Sequence, residues 1–187
     1  MDSFISNYLK ILNSIDFSSV SASIELLAND LQNLYKNRHT LYLCGNGGSA
    51  GNANHLANDF SYGAKSNSNS GLNVESLSSN SSVITCLAND LGFENIYSHL
   101  VKIKTLPGDI LIVLSGSGNS PNIINCLKEA KKLNIKTYAI LGFDGGVAKS
   151  LADVPIHFNV NDMQISEDLQ LIVGHICMQW LSKEGKK

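Results

Sequence analysis

From residue 40 onward the sequence alternates between short apolar stretches of strand type and longer stretches with helical spacing. The predicted strands are 40–44, 72–77, 109–114, 137–141 and 154–158. The predicted helices are 49–61, 82–99, 120–133, 144–151 and 165–182. Because parallel strands need crossover connections, this alternation predicts an α/β fold of three layers with a five-stranded parallel sheet. Such sheets bind ligands beyond the carboxyl ends of their strands.

The residues before the first strand have a different pattern. Phe4, Tyr8, Leu9 and Leu12 recur at helical spacing, and a second helical series follows the break at residues 18–19. We therefore expect an N-terminal helical extension over 1–37, with the α/β core over 38–187 in one domain. An appendage of this kind suits an oligomer contact.

Composition excludes several classes of protein. Apolar residues make up 43% of the chain, charged residues 16%, and the net charge is −2, so we expect a globular protein with no general attraction to nucleic acid. Arg38 is the single arginine among 14 cationic residues. A bound phosphate would therefore be held largely by lysine, hydroxyl groups and backbone amides.

The cysteines and the lengths of the apolar runs indicate the cellular compartment of the protein. Four cysteines are spread along the chain without a CxxC pair, which predicts reduced core residues: Cys44, Cys86, Cys126 and Cys177. No apolar run approaches the length of about 18 residues that spans a membrane. We expect a cytoplasmic protein with no membrane contact.

A glycine-rich loop, Gly45–Ala50 (GNGGSA), follows the first predicted strand and leads into a helix. Glycine lets the backbone approach a ligand closely, and a helix start presents free N–H groups to an anion. The loop also fits a dinucleotide fingerprint with Ala50 in the third place. A tight turn, a dinucleotide site and a phosphosugar site all remain open from this loop alone.

A second loop, Ser115–Pro121 (SGSGNSP), follows the third predicted strand. It brings three hydroxyl groups to one helix start, with Pro121 as the first helical residue and Ser120 as its cap. This set suits a compact phosphate dianion and is more than a dinucleotide requires. The alternative is an elaborate helix cap.

Two helices carry histidine beside carboxylates. His55 and Asp59 are four residues apart and share a face, a spacing that suits two ligands of one metal ion, although a surface ion pair is commoner. The last helix carries Glu167, Asp168 and His175 beside an apolar stripe, and helical geometry places Asp168 nearer than Glu167 to the face of His175. A lone histidine there is usually a core residue. Two such sets in one chain favour a functional site.

Several segments together resemble the SIS (sugar isomerase) phosphosugar-binding family, and within it the phosphoheptose isomerases. They are the two glycine loops, residues 87–94 (LANDLGFE), residues 142–146 (GFDGG) and the helix that contains Gly174-His175. The resemblance covers residues 40–182. It implies a flavodoxin-like SIS domain, a homotetramer with active sites between subunits, and a phosphorylated seven-carbon sugar as substrate. The implied reaction converts D-sedoheptulose 7-phosphate to D-glycero-D-manno-heptose 7-phosphate.

The resemblance also implies roles for individual residues. The residues at phosphate-binding positions are Ser49, Ser115, Ser117 and Ser120, and those at sugar-binding positions are Asn46, Asn89, Asp90 and Glu167. A zinc ion would be held by His55, Asp59, Glu167 and His175. Relatives typically have Glu at position 59 and Gln at position 167, so this chain departs from the pattern twice.

The implied chemistry is a metal-assisted enediol mechanism. Proton transfer between C1 and C2 would fall to one of the catalytic candidates Asp59, Glu167 and His175. Two other functions remain open. One is a non-catalytic module that senses a phosphosugar or binds a replication initiator, and the other is an isomerase for a different ketose phosphate.

Overall fold

The computed structural model describes residues 1–62 and 71–183. Its strands are β1 (Thr40–Gly45), β2 (Asn73–Ser76), β3 (Ile110–Ser115), β4 (Lys136–Leu141) and β5 (Val154–His157). Its helices are α1 (Asp2–Asn13), α2 (Ser21–Asn37), α3 (Gly48–Tyr62), α4 (Ser81–Leu91), α5 (Ile96–Lys104), α6 (Pro121–Lys132), α7 (Ala148–Leu151) and α8 (Met163–Lys183). The sequence also predicts a loop over 62–71, most of which lies outside the described residues.

The five strands form one parallel sheet in the order β2-β1-β3-β4-β5. The carboxyl ends of β1 and β3 are neighbours, so the two glycine loops leave the sheet side by side. Helices cover both faces, which confirms the predicted three-layer α/β fold.

The strands bury side chains on both faces because successive residues point in opposite directions. In β1, Leu41 and Leu43 belong to the core beneath α2, α3 and α8. Tyr42 and Cys44 belong to the second core, beneath α5 and α6. This double burial explains why the central strands β1, β3 and β4 read as nearly continuous apolar runs.

The predicted helix 82–99 is wrong as one element, because two helices occupy this range. Gly92 adopts a φ of +85° and ends α4, and a 3₁₀ turn, Phe93–Asn95, leads into α5. That backbone conformation is open to glycine and costly for other residues. The predicted helix 144–151 is likewise reduced to α7, since Gly145 and Gly146 have φ of +86° and +53°.

The N-terminal helix lies on the surface of the core. None of its residues is buried, and Phe4 is 77% exposed. One hydrogen bond ties it to the last helix, since Tyr8 Oη donates to Asp168 Oδ2 at 2.5 Å. That bond is the main reason why the pKa of Tyr8 rises to about 12. Within residues 1–62 and 71–183, every helix is too short or too polar to cross a bilayer.

Candidate active site

Two imidazoles and one carboxylate converge on a single point at the surface between α3 and α8. His55 Nε2 lies 3.0 Å from His175 Nε2. The same carboxylate oxygen, Asp59 Oδ2, lies 3.3 Å from each of those nitrogens. We call these three residues the His-Asp-His cluster. All three side chains are partly exposed, so the cluster is open on one side.

The cluster forms because α3 and α8 pack closely. His55 and Asp59 are one helical turn apart on α3, and His175 faces them from α8. Gly174 allows the close approach, because a Cβ atom there would lie 2.8 Å from Leu56 Cδ1 and nearer still to Leu56 Cδ2. A larger residue at position 174 would force the two helices apart.

The donor set and its spacing fit a zinc ion. Bonds of about 2.0–2.1 Å at tetrahedral angles place ligand atoms about 3.3 Å apart. The three separations in the cluster, 3.0, 3.3 and 3.3 Å, are close to that value. Three protein ligands with an open face are typical of catalytic zinc sites.

Glu167 and Asp168 lie outside this cluster. Among the described residues, the group of ligand atoms within 4.8 Å of one another comprises His55, Asp59 and His175. The Glu167 carboxylate instead lies over Gly48 of the first glycine loop, where a Cβ atom would overlap it. Glu167 as a fourth ligand stays a prediction, and the Asp168 carboxylate is bound by Tyr8.

The first glycine loop is fixed at its beginning by two hydroxyl groups. Ser78 Oγ accepts from Gly45 N at 3.3 Å and donates to Gly45 O at 3.2 Å, and Tyr97 Oη also donates to Gly45 O. Burial raises the pKa of Tyr97 to about 12. Sequence reasoning missed both residues, although the position of Ser78 just after β2 was a signal for it.

A pair of amides joins the first glycine loop to α6. Asn46 Nδ2 donates to Asn122 Oδ1 at 2.9 Å, and Asn122 Nδ2 donates to Asn46 Oδ1 at 2.8 Å. Asn122 is 1% exposed and was not predicted as a site residue. The amide of Asn46, a predicted sugar contact, is therefore held by this reciprocal pair.

The second glycine loop arranges its three serines around the start of α6. Ser115 Oγ accepts from Gly118 N at 3.1 Å, and Ser117 Oγ accepts from Asn119 N at 3.3 Å. Ser120 occupies the predicted N-cap position, but its side chain makes no capping hydrogen bond. Within residues 1–62 and 71–183 none of the three hydroxyl groups donates a hydrogen bond, so each has a proton that a ligand oxygen can accept.

The remaining predicted sugar contacts lie on α4, a helix with no buried residue. Asn89 and Asp90 are exposed and hydrogen-bonded to each other at 2.8 Å. Within the part of the chain that the structure describes, no hydrogen bond joins them to either glycine loop. Cys86 is also exposed here, so its prediction as a core residue is wrong, whereas the other three cysteines are buried.

A buried amide network connects α8 to the first glycine loop. Gln170 Nε2 donates to Ser49 Oγ at 3.0 Å. Asn52 Nδ2 donates to Gln170 Oε1 at 3.0 Å and to Glu167 O at 2.9 Å. Gln170 is fully buried, and the sequence pattern gave no signal for its role.

Comparisons with known proteins agree on one family. The SIS domain model matches residues 3–142. The curated phosphoheptose isomerase of Chlorobaculum parvum is 37% identical over 158 residues, which are 83% of this chain and 76% of that protein. The curated phosphoheptose isomerase of Trichlorobacter lovleyi is 34% identical over 180 residues, which are 94% and 91% of the two chains.

Solved structures show the same fold. The phosphoheptose isomerase GmhA from Neisseria gonorrhoeae superposes with a TM-score of 0.79 at 26% identity, over 87% of this chain and 86% of that one. A phosphoheptose isomerase from Francisella tularensis superposes with a TM-score of 0.83 at 22% identity, over 97% and 94% of the chains.

Proposed function

The chain belongs to the SIS domain family, among its phosphoheptose isomerases, and we propose that it converts D-sedoheptulose 7-phosphate to D-glycero-D-manno-heptose 7-phosphate. It is an aldose-ketose isomerase. The observation that carries the proposal is the convergence of His55 and Asp59, on the helix that continues from the first glycine loop, with His175 on α8.

The reaction moves a proton between C1 and C2 of the sugar and passes through an enediol. It needs a base at the carbon atoms and stabilisation of charge at two oxygen atoms. A zinc ion would be held by His55, Asp59 and His175, and when bound it would polarise those oxygens. The spacing of the cluster supports this assignment.

We assign proton transfer between the carbon atoms to Glu167. A carboxylate that binds a metal is a poor base, and the Glu167 carboxylate lies over Gly48, outside the His-Asp-His cluster. Its position beside the first glycine loop suits a base that acts on a sugar held there. In this arrangement Asp59 binds the metal ion and Glu167 carries out proton transfer. The two departures from the family pattern, Asp at position 59 and Glu at position 167, therefore compensate each other.

The phosphate group would be bound without a cationic side chain. Ser115 and Ser117 accept hydrogen bonds from amides of their own loop, so their hydroxyl protons remain for the ligand. Ser120, free of a capping role, and Ser49 complete the set. The start of α6 adds the favourable potential of a helix N-terminus.

The assembly we propose is a homotetramer in the cytoplasm, with active sites between subunits. The exposed apolar face of α1, formed by Phe4, Ile5 and Leu9, supports an interface between copies of the chain. All four cysteines are free thiols, which suits a reducing compartment.

Proton NMR in D₂O tests the function directly. We expect the zinc-loaded protein to exchange solvent deuterium into C1 or C2 of sedoheptulose 7-phosphate, because the base removes a carbon-bound proton to form the enediol and can exchange it with D₂O before protonating the carbon again. His175→Ala should abolish exchange, and His99→Ala, a change of the same type on α5, should leave it intact. Exchange that persists in metal-free protein and in His175→Ala would contradict the mechanism.

The same experiment distinguishes the other functions. Deuterium exchange into a different ketose phosphate alone would indicate an isomerase for that sugar. Binding of phosphosugars without exchange into any of them would indicate a sensing or replication-initiator-binding module.

A further inference from the structure

Gln170 is a fully buried polar side chain that bridges α8 and the start of α3. Both ends of its amide are used, because Nε2 contacts Ser49 Oγ and Oε1 contacts Asn52 Nδ2, each at 3.0 Å. A buried amide is costly unless it is hydrogen-bonded, so these partners hold Gln170 in one orientation. A side-chain amide that is held at both ends can in turn hold the hydroxyl group of a neighbouring residue in one orientation.

One backbone carbonyl group determines which atoms of this network donate hydrogen bonds and which accept them. Glu167 O can only accept, so the group of Asn52 that faces it at 2.9 Å must be the donor Nδ2. The second hydrogen of that nitrogen points to Gln170, which must therefore present Oε1 to Asn52. The opposite end of the Gln170 amide, Nε2, then necessarily donates to Ser49.

Ser49 is left with a proton to give. Its Oγ accepts from Gln170, and within the described residues it has no second hydrogen-bond partner. Ser49 is 4% exposed, so its hydroxyl group has little access to solvent. It lies in the first turn of α3, where backbone N–H groups also lack intrahelical partners. A ligand oxygen at this helix start would accept the proton.

We propose that Gln170 is a positioning residue for phosphate binding. Gln170 Nε2 donates a hydrogen bond to Ser49 Oγ from the core side. The hydrogen of the serine hydroxyl group is then free to be donated to the ligand. Its place on α8, five residues before His175, links the phosphate end of the site to the helix that carries the His-Asp-His cluster. This inference rests on the proposed function, in which Ser49 binds the phosphate of the sugar.

Gln170→Met tests the idea, because methionine keeps the length of the side chain and removes its amide. We expect the KM for sedoheptulose 7-phosphate and the inhibition constant of inorganic phosphate to rise about tenfold, since a hydrogen bond to a charged group is no longer oriented. The kcat should stay within about threefold, because Asn52 keeps its hydrogen bond to Glu167 O and the His-Asp-His cluster makes no hydrogen bond to Gln170 within the described residues. Gln179→Met, on the exposed face of the same helix, is the matched control and should change neither constant.

A double-mutant cycle separates positioning from general support of the structure. In a Ser49→Ala background, Gln170→Met should raise KM no further, because the hydroxyl group that it orients is gone. An equal rise in both backgrounds would overturn the inference. Should the methionine variant fail to fold, Gln170→Glu keeps the shape and accepts the serine proton, and it should also raise KM selectively.

The cycle also distinguishes this inference from the proposed function. If the wild-type protein exchanges no deuterium into the sugar, the proposed function fails. If Ser49→Ala leaves KM and phosphate inhibition unchanged, the phosphate role of Ser49 fails, and the role of Gln170 fails with it. If Ser49→Ala raises KM and the Gln170 variants do not, only the present inference is overturned.

Discussion

Replacing Gly174 by alanine should push apart the two helices that carry the His-Asp-His cluster. The added methyl group would lie 2.8 Å from Leu56 Cδ1 and closer to Cδ2, well inside van der Waals contact. Leu56 is 1% exposed, so its side chain cannot avoid the clash by turning into solvent. We expect the substitution to separate His175 from His55 and to weaken metal binding.

The magnitude follows from the packing. Inserting a methyl group into a closely packed core costs about 1–3 kcal/mol. In a domain of this size each kcal/mol lowers Tm by about 2–4 °C. Gly51→Ala is the matched control on α3, because a Cβ atom there meets nothing within 4 Å. A Gly→Ala change inside a helix also stabilises by about 0.5–1 kcal/mol, which offsets part of the packing cost at position 174 and acts alone at position 51. We therefore expect Gly51→Ala to be more stable than the wild type, and Gly174→Ala to be less stable than Gly51→Ala by about 1–3 kcal/mol.

Thermal unfolding at one fixed protein concentration, together with zinc titration, measures both effects. Adding Leu56→Ala to Gly174→Ala removes the clashing methyl groups, so the double variant should lose less stability than the sum of the single losses. If Gly174→Ala and Gly51→Ala shift Tm by the same amount and bind zinc equally well, close packing does not set the geometry of the cluster.

Three further predictions concern the surroundings of the site. Gly48→Ala should displace the flexible end of Glu167 and lower kcat at least about tenfold, with little change in Tm, as steady-state assays and thermal unfolding would show. In thiol titrations Cys86 alone should react in the folded protein, and Asp90→Asn should speed that reaction at pH 8, because the hydrogen bond to Asp90 raises the pKa of this thiol. The pKa of Tyr8 is raised from 10.0 to about 12, so its contribution to stability is present below pH 10 and is lost as pH rises toward 12. Tyr8→Phe should therefore lose less stability than the wild type between pH 9 and 12 in urea unfolding.

The strands were predictable to within about a residue at each end. The three central strands, β1, β3 and β4, are buried on both faces and read as apolar runs, whereas the edge strands β2 and β5 are shorter and only partly buried. The helix boundaries were less predictable than the strand boundaries. A single glycine, Gly92, divides the predicted helix 82–99, and whether a glycine adopts positive φ depends on the contacts around it. Apolar periodicity continues across such a break and conceals it.

The site was predictable only where its residues lie close in sequence or match a family motif. The spacing of His55 and Asp59 indicated a shared face, and His175 stood out as a polar residue beside the apolar stripe of the last helix. The resemblance added the expectation that all three residues bind one metal ion. The partners Gln170 and Ser49 are 121 residues apart, and their contact depends on how α3 and α8 pack. No local pattern encodes such a contact, so the supporting residues emerge only from the folded chain.

The reciprocal amide pair of Asn46 and Asn122 has a consequence for the kinetics of ligand capture. The first glycine loop cannot shift relative to the start of α6 unless two hydrogen bonds break. The position of the first glycine loop relative to the start of α6 is thus set before any sugar arrives. Association should accordingly proceed at a rate governed by diffusion and orientation of the incoming molecule, with no slow ordering phase.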